Sequence, residues 1–407
     1  SVRDAFLTEQ LSEDDLKAGL ITAVNELLEP VRTHFQKDAE ARRILELITG
    51  WMQEPKTART SGLRRLAAFD SDAQPHCVVF APLASAKPTF GAALDTLRCL
   101  AATPAGHAPV LWLSDWSAFC LNCLAGGKTR EDDLKAVASA NSLFVAALEA
   151  IAPELMKGVK VVVQSEAVLG NSSDYWISVI NAGRAFPLSA VRAVDEANAD
   201  ACQVIGTLMH MADVLATSGT ATATCICATP SQRALHELAC SYVGRPEVAS
   251  SGVQPPSVLP VPAISLRLKA GAEGTDDPDA ELLLFDGQAD VQRKMKKAFC
   301  EPGNVAHCPP LTIAEAALLT YSVDRKLVVK RKEENGGDLI FDNSTQMKAS
   351  FESGELHPGD LKPAVRDAVD QVLQRVRSKV QSLPALGAAE KEVQKVVKRM
   401  SSKGGKK

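Results

Sequence analysis

Cys77-Val78-Val79-Phe80, a helical stretch from Phe90 to Cys99, then Pro109-Val110-Leu111-Trp112-Leu113: the reading of this run decides the fold. Apolar runs of this length, without polar alternation, describe strands covered on both faces. Helices set between such strands argue for an α/β domain with a parallel, doubly wound sheet. Working outward, the spacing predicts a helix over Asp132–Ala152 and a strand over Val159–Gln164. Further helices are expected at 201–218, 230–243, 289–300 and 311–322, and upstream over Ala41–Trp51 and Leu63–Phe69. Between Pro246 and Asp279 lies a Pro-, Ser-, Gly- and Asp-rich segment, read as a loop too long to be mere connection. The C-terminal part reads as a hairpin (Leu327–Lys332 and Leu339–Phe341 around Asn335-Gly336-Gly337), a helix over 360–380 and a last helix over 387–400.

At 407 residues the chain has room for two or three domains. Its 46% hydrophobic and 23% charged residues are those of an ordinary soluble globular protein. No apolar run is read as a membrane span. The start, Ser1-Val2-Arg3-Asp4, lacks the apolar core of a signal peptide and an initiator Met, and reads as a cut end. Ten cysteines show no framework: Cys120-x-x-Cys123 and Cys225-x-Cys227 have no second pair at zinc spacing, so reduced, buried thiols and no metal are expected. His236 and His307 likewise have no metal-spaced partners and read as surface histidines. The net charge of −4 hides an asymmetry. Residues 291–407 hold 22 Lys+Arg against 14 Asp+Glu, leaving 23 against 35 elsewhere. A basic C-terminal part beside an acidic body points to a polyanionic partner for one domain.

That basic part contains Leu356-His357-Pro358-Gly359-Asp360-Leu361-Lys362, and a near-copy stands at the other end of the chain. Leu11-Ser12-Glu13-Asp14-Asp15-Leu16-Lys17 repeats its Leu, Asp, Leu and Lys, 345 positions earlier. Phe6, Ala23, Val24, Leu28, Val31 and Arg32 recur as Phe351, Ala368, Val369, Leu373, Val376 and Arg377. This period far exceeds the ~20–50 residues of solenoid units. It reads as the tail of one gene copy followed by a complete second copy. Residues 1–36 are then an amphipathic helix with Leu16, Leu20, Ala23, Val24, Leu27, Leu28 and Val31 on one face, in need of a docking partner.

Several stretches together resemble the archaeal/eukaryotic type of tyrosyl-tRNA synthetase: Lys294-Met295-Lys296-Lys297-Ala298-Phe299-Cys300-Glu301-Pro302-Gly303-Asn304-Val305, Asn335-Gly336-Gly337-Asp338-Leu339, and Leu356 to Lys362. Asn25-Glu26-Leu27-Leu28-Glu29-Pro30-Val31-Arg32 is similar to the family's final helix. The whole resembles the C-terminal half of a double-length, tandem-duplicated enzyme of the trypanosomatid kind. The resemblance implies a class I nucleotide-binding (Rossmann-like) sheet followed by a mainly helical anticodon-binding domain. Its boundaries would be 1–36 for the preceding copy's terminal helix, 38–305 for a degenerate catalytic domain and 306–407 for the anticodon domain with a basic tail.

The family's activation signatures are eroded here. Its Gly-Lys-Pro-His-x-Gly segment, which grips ATP phosphates at a helix N-terminus, corresponds to Ala86-Lys87-Pro88-Thr89-Phe90-Gly91. Its substrate Tyr and Gly at the first strand correspond to Val79 and Ala81, its Tyr and Gln after 201 to Gly206 and His210, with Asp213 kept. Asp115 holds a family position, and the Asp-Gln-Arg-Lys segment stands as Ser231-Gln232-Arg233-Ala234. The lysine loop should fall at 268–276, where Leu268-Lys269-Ala270-Gly271-Ala272-Glu273-Gly274-Thr275-Asp276 stands instead. Lys294-Met295-Lys296-Lys297 and Arg399-Met400-Ser401-Ser402-Lys403 look like substitutes, but read as solvated or tRNA-facing helix residues. Val79, Thr89, Gly91, Asp115, Asp213 and Gln232 are thus vestigial synthetase positions, and no catalytic residue is expected.

At the anticodon end the resemblance assigns Asp360 to the anticodon guanine, with His357, Arg331 and Cys300 nearby. A carboxylate suits the donors of that base's N1–H and N2–H₂ edge. The family's stacking aromatic corresponds to Asn335, and stacking is worth roughly 1–3 kcal/mol per base. The bland alternative for Asp360 is to cap its own helix. The function implied is the tRNA(Tyr)-reading half of a cytoplasmic tyrosine–tRNA ligase, pseudo-dimerised with a first copy that alone binds ATP and Mg²⁺ and does the chemistry. The alternative is a non-enzymatic scaffold derived from such an enzyme.

Overall fold

A computed structural model describes residues 74–194, 200–218, 224–249, 252–269, 277–322 and 324–404, with only the backbone described at 335 and 401–404. The readings for 1–36, for 38–70 and for the lysine loop at 270–276 lie outside these residues.

The first half is a run of strands and helices: β1 (His76–Phe80), α1 (Phe90–Ala101), β2 (Ala108–Leu113), α2 (Asp115–Cys120), α3 (Arg130–Ile151), α4 (Pro153–Met156) and β3 (Lys160–Val163). Helices α5 (Gln164–Leu169), α6 (Ser172–Ala185), α7 (Leu188–Arg192) and α8 (Ala201–Thr217) precede β4 (Cys225–Ala228), α9 (Pro230–Val243), α10 (Pro246–Ala249) and β5 (Ser257–Pro260). All five strands pair in parallel, in the order β3-β2-β1-β4-β5. Period-two alternation sorts each strand's side chains between two cores. Cys77, Val79, Leu111 and Leu113 face α1 and α3. Val78, Phe80, Val110 and Trp112 face α6, α8 and α9.

Two strands are absent from the sequence reading. β4 is only Cys225-Ile226-Cys227-Ala228, fully buried, with its two cysteines serving as small apolar residues. β5 lies inside the segment read as a loop; it is a half-exposed edge strand ending in Pro260, and edges tolerate Pro. Among the described residues α3 is the helix long and apolar enough to cross a membrane. Its Ala136, Val137, Leu143, Phe144, Ala147 and Leu148 are instead buried in the protein core.

The C-terminal part is mostly helical: α11 (Gln288–Lys297), α12 (Pro309–Ile313) running through a π turn (Ala314–Leu318) to Tyr321, the hairpin β6 (Leu327–Val329) and β7 (Leu339–Phe341), α13 (Ser344–Glu352), α14 (Pro358–Ser382) and α15 (Pro384–Gly404). Leu361, Val365, Val369, Val372, Leu373 and Val376 place the buried stripe of α14 in the same core as β1 and α1. Helix α15 packs on α3, where Val393 and Val396 meet Leu124, Ala136 and Ala140.

Two basic residues expected to face solvent or RNA are committed to the protein. Lys294 is 2% exposed and its ammonium pairs with Asp286 at 2.7 Å. Arg399 donates to Asp132 at 3.2 Å, tying α15 to α3.

Candidate functional site

The strand order reverses at β1, and in open parallel sheets ligands bind outside the carboxyl ends of the strands at such a reversal. Here the chain's own side chains fill that place. Phe80, the last residue of β1, stands against the rings of His210 from α8 (centroids 4.6 Å apart) and His236 from α9 (5.2 Å). His210 Nε2 and His236 Nδ1 share a hydrogen bond of 2.8 Å. Burial disfavours the imidazolium, so His236 is pushed down to about 4 and His210 well below the ordinary histidine value. The surface position read for His236 is therefore corrected: it is 1% exposed, on the inner face of α9. His307 is exposed, as expected.

Beside the histidines lies a buried polar network. Gln164 Nε2 donates to both carboxylate oxygens of Asp213 at 2.9 Å and lies 3.1 Å from the Tyr175 hydroxyl. Tyr175 donates to Asp213 at 2.8 Å, and Ser117 N donates to Gln164 Oε1 at 3.0 Å. Burial pushes Asp213 up to about 7, against hydrogen bonds from Gln164, Tyr175 and Trp112 that favour its ionised form. Gln164, Tyr175 and Ser117 were not singled out in sequence. Their one signal is a polar Gln closing the apolar run of β3. Asp115 is satisfied locally, accepting from Trp116 N and Ser165 N at 2.9 Å and from the Ser165 hydroxyl at 2.5 Å. Gln232 Nε2 donates to Phe80 O at 3.2 Å, bridging α9 to β1.

The anticipated anticodon residues gather around the start of α14. Leu356 and Leu361 are buried and anchor the turn. His357 is the N-cap: its Nδ1 accepts from Gly359 N at 3.0 Å, and its carbonyl accepts from Asp360 N at 2.9 Å. A Cβ on residue 359 would stand 3.1 Å from that Nδ1, so Gly suits the place. Capping is thus done by the imidazole, not by Asp360. Among the described residues the Asp360 carboxylate has no hydrogen-bond or ion-pair partner, although the residue is only half exposed. Arg331 donates from Nε to Gly337 O and from Nη1 to Glu355 O, both at 2.8 Å, joining the hairpin to the turn before α14. Cys300 Sγ lies 3.4 Å from Cys308 Sγ, within reach of a thiol–thiol hydrogen bond in which either can donate. Asn335 closes a 3₁₀ turn before Gly336, whose φ of +91° requires glycine.

No protein-family model matches the chain. Over 90% of its length it is 24% identical to "Tyrosine--tRNA ligase 2, cytoplasmic" of Arabidopsis thaliana, covering 54% of that protein. It is 28% identical to "Tyrosine--tRNA ligase 1, cytoplasmic" of the same plant, over 68% of this chain and 69% of that one. The Leishmania major tyrosyl-tRNA synthetase in complex with tyrosinol superposes with a TM-score of 0.64 at 28% identity, over 98% of this chain and 54% of that one. The chain is similar in sequence and in fold to tyrosyl-tRNA synthetases. An Aeropyrum pernix tyrosyl-tRNA synthetase, 23% identical with a TM-score of 0.63 over 79% of this chain and 90% of that one, shares the fold. The chain spans about half the length (54%) of the first Arabidopsis ligase and of the Leishmania synthetase.

At the positions that the family's signatures would occupy, several side chains are engaged within the protein. Val79 is buried in β1, and Phe80 and the two histidines occupy the core beside it. Thr89, where the phosphate-gripping imidazole is expected, spends its hydroxyl accepting from Ala92 N at 3.1 Å to cap α1. A cleft of 490 Å³ remains beside Thr89 and Gly91, but its charged rim brings the carboxylates of Asp95 and Glu281 against the single cation Arg267. Asp95 is in turn paired with Arg98 at 3.4 Å, so the rim carries no surplus of cations for a polyphosphate. Lys269, at the edge of the lysine-loop position, is paired with Asp277 at 2.5 Å.

Proposed function

We propose that this chain is the tRNA-reading half of a tyrosine–tRNA ligase, in which a second copy of the fold activates tyrosine. The observation that carries the reading is the Asp360 carboxylate, unpartnered on a first turn that His357 has already capped. A carboxylate that the protein itself leaves unpartnered is open to an outside donor. The donor edge of a guanine suits that acceptor, and the resemblance assigns that base to this position.

The half-chain division would run 38–305 for the closed nucleotide fold and 306–407 for the anticodon domain, with 1–36 as the last helix of the preceding copy. Pairing is supported by an exposed apolar face on α5 to α7: Leu169, Trp176, Ile177, Ile180 and Leu188. Apolar clusters of this kind mark interfaces, and the fitting occupant is the first copy, as an intramolecular pseudo-dimer. ATP and Mg²⁺ would bind in that copy. The printed names of the relatives support a cytoplasmic location.

The test is binding of tyrosine tRNA at two salt concentrations, with Asp360→Ala and an anticodon-altered tRNA as controls. Both changes are expected to abolish selective binding, a loss of about 1–3 kcal/mol. Equal, weak binding of all tRNAs by wild type and Asp360→Ala would overturn the anticodon reading and favour a structural scaffold.

A further inference from the structure

Lys362, two residues beyond Asp360, would ordinarily be counted as a phosphate ligand in a basic domain. Its ammonium is used otherwise. Nζ donates to Lys296 O at 2.7 Å and to Ala298 O at 2.9 Å. These are carbonyls at the end of α11, where the helix has no partners of its own for them. A cation there also complements the helix dipole.

The far ends of the same two helices are joined as well. Arg377, late on α14, donates from Nη1 to Asp286 O at 2.5 Å and from Nη2 to Asp370 at 2.7 Å. Asp286 lies two residues before α11 and holds the buried Lys294. Helices α11 and α14 are therefore antiparallel and fastened at both ends. The Lys362 fastening falls in the turn that presents Asp360. With His357 capping that turn and Arg331 holding the residue before it, Lys362 is the contact that sets its distance from α11 and the Cys300 segment.

We infer that Lys362 is a positioning residue for recognition by Asp360 and not an RNA phosphate ligand; this rests on the anticodon reading above. Replacing the ammonium releases the first turn of α14 from the end of α11 and lets the Asp360 carboxylate shift against the base it reads. A displaced carboxylate loses discrimination while the electrostatic attraction to RNA is kept. A phosphate ligand behaves in the opposite way, weakening all RNAs alike and reducing the salt slope by about one.

The experiment measures full-chain binding to tyrosine tRNA and to the same tRNA with adenine in place of the anticodon guanine, over a range of salt. Lys362→Met, Lys362→Arg and Asp360→Ala are compared, each with its thermal unfolding midpoint. Lys362→Met is expected to lower the guanine-to-adenine affinity ratio about tenfold, part of the discrimination of a carboxylate–base contact, with an unchanged salt slope. Lys362→Arg, which keeps donors for both carbonyls, is expected to restore most of the ratio. A ratio left intact with the slope reduced by about one makes Lys362 a phosphate ligand and overturns the inference. So does a lowered unfolding midpoint with ratio and slope both unchanged. If Asp360→Ala keeps the wild-type ratio, the anticodon reading itself fails, and that result is separate from any behaviour of Lys362.

Discussion

His236 shows in sequence as a histidine without metal-spaced partners, and its meaning changes once its neighbours are known. It is neutral in the fold, with its pKa pushed down to about 4, while an unfolded chain takes up that proton near 6.5. Folding therefore loses stability as pH falls from about 6.5 towards 4, by ~1.4 kcal/mol per pH unit for one such group. Asp213 acts in the opposite sense. Its folded pKa, near 7, lies above the unfolded carboxylate value, so its contribution falls as pH rises across the same window. His236→Leu is expected to remove the first term and leave the second. Urea unfolding at pH 6.5 and pH 4.5 should then show an acid-induced loss smaller by about 2–3 kcal/mol than in wild type; an unchanged difference would contradict the buried, neutral His210–His236 pair.

Helices α3, α8, α9 and α14 stand close to where periodicity predicts them, because each is long enough for a 3.6-residue apolar stripe to repeat. Strands β4 and β5 escaped because four residues, two of them cysteine or one of them proline, carry no periodic signal. Helix α15 was legible as a helix, while its docking was not. Its seat depends on Gly126, where a Cβ would come within 2.5 Å of Val396 O and of Met400 Cγ. Backbone on one side leaves no room to shift. Gly126→Val is expected to lift α15 from α3 and cost about 1–3 kcal/mol as an overpacked contact. Hydrogen exchange on the 384–400 amides should accelerate while α14 stays protected; unchanged protection of α15 would show that the contact is dispensable.

At the scale of the molecule, two regions of the same chain have opposite fates. At the strand reversal Phe80, His210 and His236 pack against one another, while the first turn of α14 keeps a carboxylate without a partner among the described residues. The apolar face on α6 is the third feature. Ile180 is 61% exposed and Ile177 53%, so a change there spares the core. Under the proposed pairing, the double change Ile177→Asp and Ile180→Asp is expected to abolish association with a first copy supplied as a separate chain in sedimentation equilibrium, with the unfolding midpoint of the chain kept. Pairing that survives both charges would place the interface elsewhere.

The sequence by itself determined the α/β alternation and the long helix that becomes α14, because these are properties of residue type and spacing along one element. Only the tertiary structure decided which polar groups have partners. Lys294, Arg399 and Lys362 read alike as basic helix residues, yet they are bound to Asp286, to Asp132 and to two helix-end carbonyls. Asp360 reads as a guanine acceptor with capping of its own helix as the alternative, and the imidazole of His357 does the capping instead. The physical reason is that a hydrogen bond or an ion pair is a relation between atoms far apart in the chain. Its partner is chosen when the elements pack.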